Sequence, residues 1–456
     1  MKDPMKRIYL AVLILTVVFL AFFALAIVAS GNVELQESIT GKLTSSLVDS
    51  ETVTVMLVLC AVVPIGTLFI TLCVFGIAKP LFQKYYYENK DRKHRKWMHS
   101  RFPSLKQMDE TLKNAPEDVF IDKTLSEICD DFRNFAASKQ KLYYDIADIR
   151  RFIAGMGISK LIILRGISGT GKTSLAYIVG EYFCNSSTII PIQPMWKERS
   201  DIIGYFNEFT KRFNETKLLS KLYEAGGREH IYITVLDEVN IARIEYYFAE
   251  FLSLLEIPDP QKRKLDVVAD SWDSDPERIV GGKILLPENM WFVGTANNDD
   301  STFAISDKVY DRAAVIDLDR KCLPFEAAET DSACISYEML NARFEQAKRD
   351  FSLSAENRIA LAQLDNYLTD MFRISFGNRI MRQIDEYVPI MMACGGTEID
   401  GLDDILSRKI FRKLEQVSPT LIKNEVPNLL NHITDLFGEE ALPMSREFLY
   451  RIINAA

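Results

Sequence analysis

Eight consecutive residues have the types and the spacing that bind phosphate groups. The segment from Gly166 to Thr173 reads G-I-S-G-T-G-K-T, which fits the pattern G-x-x-x-x-G-K-[ST] at every fixed position. Its glycines let the backbone wrap closely around phosphate oxygens, and its last amide groups point at them where a helix begins. Lys172 would reach the β- and γ-phosphates, and the Thr173 hydroxyl would bind Mg²⁺. The predicted nucleotide-binding residues are Gly166, Ser168, Gly169, Thr170, Gly171, Lys172, Thr173 and Ser174.

Two carboxylates further along the chain complete this chemistry. Asp237 and Glu238 directly follow the apolar run 231–236, and a strand that ends in acidic residues is the second part of such a site. Asp237 would hold Mg²⁺ together with Thr173, and Glu238 would orient or deprotonate the attacking water. The pattern predicts a Mg²⁺-dependent nucleoside triphosphatase. We expect ATP as the nucleotide, although phosphate contacts do not distinguish ATP from GTP.

The flanking segments predict the elements that position these groups. The apolar run 160–165 before the glycines predicts a strand, and residues 173–183 predict a helix after them. Strands are also expected at 188–193 and 290–294, with a helix between them over 241–255. The pattern predicts an α/β fold, a parallel sheet between helices. Beyond about residue 320 the chain is expected to be helical to its end.

Two long apolar segments precede this domain. Residues 8–30 and 53–78 contain no charged side chain, and each is long enough as a helix to cross a bilayer. Lysines and arginines are abundant before the first segment and after the second, but rare in the loop 31–52. The positive-inside rule therefore predicts a two-span protein of the cytoplasmic membrane, with both termini in the cytoplasm and a short loop outside. In an alternative interpretation the first segment is a secretory signal.

Charge and cysteine content limit the other classes of function. The basic run 90–101 could contact anionic lipid, or it could be an ordinary flank of a membrane span. The net charge of −9 argues against non-specific binding of duplex nucleic acid, which needs a basic face. The cysteines are odd in number and scattered, which predicts free thiols rather than a disulfide framework. The few histidines have no ligand spacing, and no structural metal site is expected.

Further motifs resemble those of the AAA+ ATPases, in the branch of MoxR-like and McrB-like proteins. Residues 236–240 (L-D-E-V-N) and 291–297 (W-F-V-G-T-A-N) resemble the acidic strand and the sensor-1 strand of that branch. The resemblance implies that Asn297 positions the lytic water, with Asn298 as an alternative. Asp311 and Arg312 resemble the arginine-finger site, which implies that Arg312 reaches the γ-phosphate of a neighbouring subunit.

The resemblance also implies a helical lid and a ring, most simply a hexamer. Phe376-Gly377-Asn378-Arg379 falls where the lid of these proteins carries a sensor-2 arginine, so Arg379 is a candidate, with Arg382 as an alternative. Residues 194–206 resemble an insertion that faces a substrate or partner, although Trp196 and Tyr205 could also simply pack. The resemblance covers about residues 140–390.

We therefore expect four parts: a membrane anchor over 1–79, a basic juxtamembrane segment and linker over 80–123, an AAA+ nucleotide-binding domain over 124–320, and a helical lid with C-terminal helices over 321–456. The favoured hypothesis is a membrane-anchored ring ATPase that remodels or activates a protein partner. One alternative is a McrB-like motor of a restriction or phage-defence system that acts with a separate nuclease. Another is a membrane scaffold gated by nucleotide, without mechanical activity.

Overall fold

The computed structural model describes residues 100–116, 118–297 and 302–456, together with Gly66. These residues, apart from Gly66, belong to one compact unit, Trp97–Ala456. The predicted membrane anchor and most of the basic segment lie outside the described residues, and so does Asn298. Within the part of the chain that the structure describes, no helix combines the length and apolarity needed to cross a membrane.

A five-stranded parallel sheet forms the centre of this unit. Its strands are β1 (Leu161–Gly166), β2 (Thr188–Pro191), β5 (Tyr232–Asp237), β9 (Met290–Asn297) and β10 (Ala314–Asp317). They lie in the order β10-β1-β9-β5-β2, and all four pairings are parallel. Because both faces of the sheet are covered, its strands are runs of apolar residues rather than alternating ones.

Successive residues of each strand pack into two different cores. Ile162 and Leu164 of β1 belong to one core, and Leu161 and Ile163 belong to the other. The first core also contains α2 (Leu125–Gln140), α3 (Ile146–Ile158) and α4 (Lys172–Tyr182), while the second contains α6 (Lys217–Ala225), α7 (Ile244–Tyr247) and α8 (Ala249–Leu255). The structure therefore confirms the expected α/β fold with a parallel sheet between helices.

The second half of the expected linker is part of the folded domain. Residues 103–113 form helix α1 (Pro103–Lys113), which has Pro103 in its first turn and buries Leu105. The carboxylate of Glu215 accepts hydrogen bonds from the backbone amides of Ser104 and Leu105, so two of the helix's unpaired donors are satisfied. The expectation of a linker is therefore wrong for residues 103–113, because Pro103 is suited to the first turn of a helix and starts one here.

Arg101 likewise differs from its predicted place in a basic run. Its guanidinium is buried and pairs with Asp270 at 2.7 Å and with Asp275 at 2.7 Å, and it stacks on Trp272. These acidic residues precede β7 (Ile279–Val280). β7 pairs with β8 (Lys283–Leu285) in an antiparallel hairpin. β8 also pairs with β6 (Lys264–Asp266). Arg101 therefore fastens the start of the described chain to this small sheet.

A second small hairpin lies in the insertion after β2. Helix α5 (Arg199–Ile203) is followed by β3 (Phe206–Asn207), which pairs with β4 (Arg212–Phe213). Trp196 packs edge-on against Tyr247, whereas Tyr205 is half exposed. The alternative in which both aromatic residues pack is therefore correct for Trp196 and not for Tyr205.

The C-terminal part is a helical lid, although its first residues are not helical. A short helix, α9 (Asp307–Tyr310), precedes β10. After β10 the chain is extended up to α10 (Tyr337–Asp350), so the expectation of helix from residue 320 is wrong for this stretch. The helices that follow are α11 (Ala355–Phe372), α12 (Gly377–Ala393), α13 (Glu398–Ile405), α14 (Pro419–Phe437) and α15 (Pro443–Ala455), and a π-helical turn, Leu406–Ile410, follows α13. Helix α12 packs against α3 and so joins the lid to the core.

The expectation of free thiols is wrong for one pair of cysteines. Cys184, just after α4, forms a disulfide with Cys334 in the extended stretch before α10. The neighbouring backbone holds the two segments together, because the amide of Ala333 donates to the carbonyl of Tyr182. Their positions in the sequence are 150 residues apart, which is why spacing did not suggest the pair. Cys129, Cys322 and Cys394 are free.

Candidate nucleotide-binding site

The glycine loop joins the end of β1 to the start of α4 in the way its sequence predicts. Gly166, Gly169 and Gly171 have φ values of 148°, 80° and 92°, a region of backbone conformation that side chains disfavour. At Gly166 a Cβ atom would also lie 2.5 Å from the carbonyl oxygen of Leu318. The loop backbone can therefore take this shape only with glycine at these positions.

The side chains of the loop take different positions. Lys172 is buried, and its Nζ donates hydrogen bonds to the carbonyl oxygens of Gly166 at 2.9 Å and Ile167 at 2.7 Å. Thr170 is also buried and donates to the Ile167 carbonyl, whereas Ser168 is exposed and Ser174 is half-buried. Lys172 thus lies inside the loop's own curve, where a bound phosphate would lie.

Thr173 and Asp237 are brought together as predicted. The Thr173 hydroxyl donates to Oδ1 of Asp237 at 2.8 Å, although the two residues come from α4 and β5. The hydroxyl of Thr295, on the neighbouring strand β9, donates to the same oxygen at 2.8 Å. A hydroxyl and a carboxylate are hard oxygen ligands of the kind that Mg²⁺ accepts beside phosphate oxygens and water. This donor set fits Mg²⁺, with Thr173 and Asp237 as its ligands.

Glu238 is held in an unusual backbone conformation next to these groups. Its φ is 55°, which is uncommon for a residue with a side chain, and its amide donates to the Thr295 hydroxyl at 2.9 Å. Non-glycine residues in this conformation cluster at active sites, where the surrounding structure maintains the strain. Thr295 thus fixes both carboxylate residues. The sequence did not identify Thr295, because a threonine within an apolar strand is ordinary in β structure.

Asn297 lies at the end of β9, directly beside the glycine loop. In the register of β1 and β9, Asn297 is the partner of Gly166. Its carbonyl oxygen accepts a hydrogen bond from the side chain of Asn240 at 2.9 Å, which ties it to the segment after Glu238. Gly166, Asp237 and Asn297 thus end three adjacent strands at the same edge of the sheet.

Arg312 lies at the opposite end of the strands from the glycine loop. It precedes β10, whose residue Asp317 pairs with Arg165, the neighbour of Gly166. β10 begins two residues after Arg312 and runs away from it toward Asp317. Arg312 is therefore separated from the glycine loop of its own chain by the length of the sheet. A finger role requires the phosphates of another protomer.

Arg379 lies beside Arg312 rather than beside the glycine loop. Nη2 of each guanidinium contacts the carboxylate of Glu256, which follows α8, and the distance from Arg379 is 2.6 Å. Arg382, the alternative, is largely exposed and lies 3.8 Å from Glu386 in its own helix. Both candidates line the cleft that contains Arg312, but only Arg379 of the two shares a carboxylate with it.

One cleft lies beside the glycine loop and another beside Arg312 and Arg379. The P-loop cleft, of about 1550 Å³, is lined by Thr170 of the loop, by Tyr144, by Arg408 and by Phe448 of the last helix. The finger cleft, of about 820 Å³, contains Glu256, Arg312 and Arg379 together with Lys160 and Arg263. The P-loop cleft is large enough for a nucleoside and lies next to the loop. Its lining residue Tyr144 contacts the loop directly, because the Tyr144 hydroxyl donates to the Gly171 carbonyl at 3.1 Å.

A buried charge network connects the lid to the P-loop cleft. Asp317 pairs with Arg165 at 2.6 Å and with Arg408, from the π-helical turn, at 3.2 Å. Burial tends to raise the pKa of the Asp317 carboxyl, but the charges of Arg408 and Arg165 outweigh it and hold the pKa below its usual range. Arg408 also pairs with Asp404 at 2.5 Å. No sequence motif marks Arg408, so the prediction missed it, although π-helical turns often occur at functional positions.

The next residue, Lys409, holds the segment that carries Arg312. Its buried Nζ donates to the carbonyl oxygens of Tyr310 at 3.0 Å and Ala313 at 2.9 Å. Burial lowers the pKa of this ammonium to about 8. An unfolded lysine has a pKa of about 10.4, so between these pH values the unfolded chain binds a proton that the folded chain has released. Stability therefore rises with pH across this window.

We expect Lys409→Met to remove this pH dependence. Between pH 8 and 9.5 the free energy of unfolding of the wild type should gain about 2 kcal/mol relative to the variant. Denaturant unfolding of both chains at pH 7, 8 and 9.5 measures the difference, in which all other titrating groups cancel. A wild-type-minus-variant difference that stays constant over these pH values would contradict the assignment.

The fold and the site define an α/β domain with a phosphate-binding type of glycine loop and a helical lid. The α/β core, with its parallel sheet and terminal glycine loop, fits an AAA+ P-loop core. The chain is similar to the EcoKMcrB subunit of the type IV methyl-directed restriction enzyme from Escherichia coli strain K12. The two are 27% identical over 173 residues, which is 36% of each chain. This chain thus spans only about a third of the length of the curated relative that it matches.

A solved structure also resembles the chain. The crystal structure of a candidate ATPase from Cytophaga hutchinsonii is 14% identical, with a TM-score of 0.44, and the similarity covers 72% of this chain and 97% of that one. No protein-family model matches the sequence.

Proposed function

We propose that this protein is a Mg²⁺-dependent ATPase that hydrolyses nucleotide at the interfaces of a homo-oligomeric ring. The observation that carries the proposal is the separation of two half-sites. Thr173, Asp237 and Glu238 lie with the glycine loop at one edge of the sheet, while Arg312 and Arg379 lie at the other. Each protomer contains both half-sites, but they lie too far apart to act on one nucleotide. A closed ring joins each loop to the next protomer's arginines, and a hexamer is the form that the family resemblance implies.

The chemistry at each interface follows from the residues. Backbone amides of the loop and Lys172 bind the phosphates, and Thr173 and Asp237 hold the metal ion. Mg²⁺, when bound, offsets phosphate charge. Glu238 orients and deprotonates the attacking water, and Asn297 fixes that water's position. Arg312 from the neighbouring protomer stabilises the charge that develops on the γ-phosphate. Hydrolysis therefore depends on assembly.

We propose that the ring works at the cytoplasmic face of the inner membrane on a protein partner. Residues 1–79, with their two apolar segments, would be the anchor, and the basic residues that follow would contact the lipid bilayer. The fully exposed Phe209, at the tip of the β3–β4 hairpin, and the half-exposed Tyr205 offer apolar contacts of the kind that a protein partner uses. We do not expect nucleic acid to bind directly, because the chain is acidic.

The similarity to the McrB subunit favours a second candidate. In that case the ring would be the nucleotide-driven motor of a restriction or phage-defence system that works with a separate nuclease. A preference for GTP, or turnover stimulated by DNA, would support this candidate over protein remodelling. A nucleotide-gated scaffold would instead bind nucleotide without turnover.

The substitution Glu238→Gln tests the proposed activity. We expect the full chain, purified in detergent, to release phosphate from ATP when Mg²⁺ is present. The variant should be slower by about 10²–10³-fold, because an amide cannot accept the proton of the attacking water. It should still bind ATP, since the loop is unchanged. Phosphate release and retained radiolabelled ATP measure the two properties.

Glu356→Gln is the matched control, because Glu356 is an exposed carboxylate in the first turn of α11. It should behave as the wild type does. Turnover by Glu238→Gln at the wild-type rate would overturn the assignment. The same variant should hold its partner longest, so proteins that co-purify with it from solubilised membrane identify the substrate.

A further inference from the structure

One carboxylate joins an arginine of the core to an arginine of the lid. Glu256 follows the last turn of α8, and each of its oxygens contacts a different guanidinium: Oε2 contacts Nη2 of Arg312, and Oε1 lies 2.6 Å from Nη2 of Arg379. Arg312 precedes β10 in the core, whereas Arg379 is in the first turn of lid helix α12. The Glu256 side chain is one-third exposed, so the three groups form a cluster at the surface of the finger cleft.

The charges of this cluster explain why the carboxylate is needed. Two guanidinium groups that contact the same side chain repel each other, and the negative charge of the carboxylate between them offsets this repulsion. Glu256 is bound through a terminal nitrogen of each arginine, and a guanidinium has five N–H donors in all. Nε of Arg312 is buried and has no hydrogen-bond partner among the described residues. Nη1 of Arg312 donates to the carbonyl oxygen of Lys308 at 2.6 Å, so the guanidinium is oriented by its own segment as well as by Glu256.

Hydrogen bonds from both the lid and the core hold the backbone around Arg312. Lys409 and Gln383, both from the lid, donate to the carbonyl oxygens of Tyr310, Asp311 and Ala313, with Gln383 at 3.2 Å from Asp311. The Ser159 hydroxyl, from the core, donates to the Arg312 carbonyl at 2.7 Å. Because four successive carbonyl groups are bound, the finger segment has little freedom of its own and is held between the lid and the core.

We propose that Glu256 is a positioning residue that gathers Arg312 and Arg379 into one pair and presents both to the triphosphate of the neighbouring protomer. The inference rests on the proposed function, because it requires hydrolysis at protomer interfaces. It adds a residue that does not touch nucleotide, and it links the position of the lid to the chemistry of the next site. A lid that moves with its own nucleotide thereby moves Arg379 relative to Arg312, and Glu256 determines whether the two stay together.

The first test is the kinetics of Glu256→Gln. The amide keeps the size of the side chain but loses the charge, so the arginines separate and the transition state loses their alignment. We expect kcat for ATP to fall by about tenfold, with KM changed less than about twofold, because the P-loop side of the site is untouched. Glu345→Gln is the control, since Glu345 lines the same cleft and pairs with Lys348 instead. It should leave both constants unchanged.

The second test uses rings that contain two kinds of protomer. Lys172→Ala protomers cannot hold the triphosphate but keep their arginine pair, while Glu256→Gln protomers hold it but present a disturbed pair. Co-expressed and purified together through two tags, they should show more turnover than the two separate preparations combined, because some Glu256→Gln sites then face an intact pair. Fully wild-type kinetics of Glu256→Gln, a change in KM alone, or no gain in mixed rings would each overturn the inference.

A parallel mixture of Arg312→Ala and Lys172→Ala protomers separates this inference from the proposed function. If that mixture also shows no gain, hydrolysis does not depend on an arginine from a neighbour and the interface proposal itself fails. If that mixture gains turnover and the Glu256→Gln mixture does not, the interface stands and only the role of Glu256 is wrong.

Discussion

Lys172→Ala should abolish turnover and weaken nucleotide binding. The Lys172 ammonium is buried within the loop and lies 2.9 Å and 2.7 Å from the carbonyl oxygens of Gly166 and Ile167. It is therefore already at the position where the loop would bind phosphate. Removal of a preorganised charge at this position eliminates both ground-state attraction and stabilisation of the developing charge. We expect the rate of phosphate release to fall by at least about 10³-fold and ATP affinity to fall with it.

Two measurements check this result. Phosphate release gives turnover, and titration with a fluorescent ATP analogue gives affinity, both on the full chain in detergent. Lys262→Ala is the control, because that side chain is 75% exposed and pairs with Asp259 in a surface turn. It should change neither quantity. Unchanged affinity in Lys172→Ala would mean that nucleotide binds elsewhere.

The half of the site formed at the ends of strands could be predicted from the sequence. The glycines, Lys172, Thr173, Asp237 and Glu238 occur in short segments whose local patterns specify strand, turn and helix. Parallel strands place their carboxyl ends at one edge, which brings those segments together. The contact between Thr173 and Asp237 at 2.8 Å follows from that rule. Their roles in hydrolysis stay predictions until the variants are measured.

The half that depends on tertiary packing could not be predicted in the same way. Motif position suggested Arg312 and Arg379 separately, but their shared partner Glu256 lies in a helix end with no distinctive pattern. Arg408 and Lys409 are adjacent in sequence, yet one faces the P-loop cleft and the other the finger segment. A π-helical turn produces this division, and no rule of sequence periodicity anticipates one.

Local signals also misled at two places in the fold. A juxtamembrane segment and linker were predicted over 80–123, although Pro103 opens a helix that buries Leu105. The extended stretch before α10 has no repeating apolar pattern, and it is held by its contacts with the end of α4, including the disulfide of Cys184 with Cys334. Both features depend on surfaces supplied by distant residues. The membrane anchor over residues 1–79 and the location in the inner membrane stay predictions.

Arg312→Ala should nearly stop hydrolysis while leaving the P-loop edge of each protomer intact. An arginine that stabilises the γ-phosphate from a neighbouring subunit contributes roughly 10³–10⁵-fold to the rate in related phosphoryl-transfer systems. Since Arg312 precedes β10, whereas the glycine loop follows the far end of the neighbouring β1, its loss should leave ATP affinity within about threefold of the wild type. Phosphate release and analogue titration, as above, separate the two effects.

The decisive form of this experiment is again a mixed ring. Arg312→Ala protomers keep a working loop and Lys172→Ala protomers keep a working arginine, so each variant supplies what the other lacks. Rings formed from both variants should hydrolyse ATP much faster than rings of either variant on its own. Rings that combine the double variant Lys172→Ala/Arg312→Ala with Arg312→Ala should show no such gain in rate. Recovery in the first mixture requires that the arginine act across the interface, because no protomer in it contains both halves. If the first mixture is as inactive as the second, Arg312 serves its own chain, and the separation of the two half-sites has another cause.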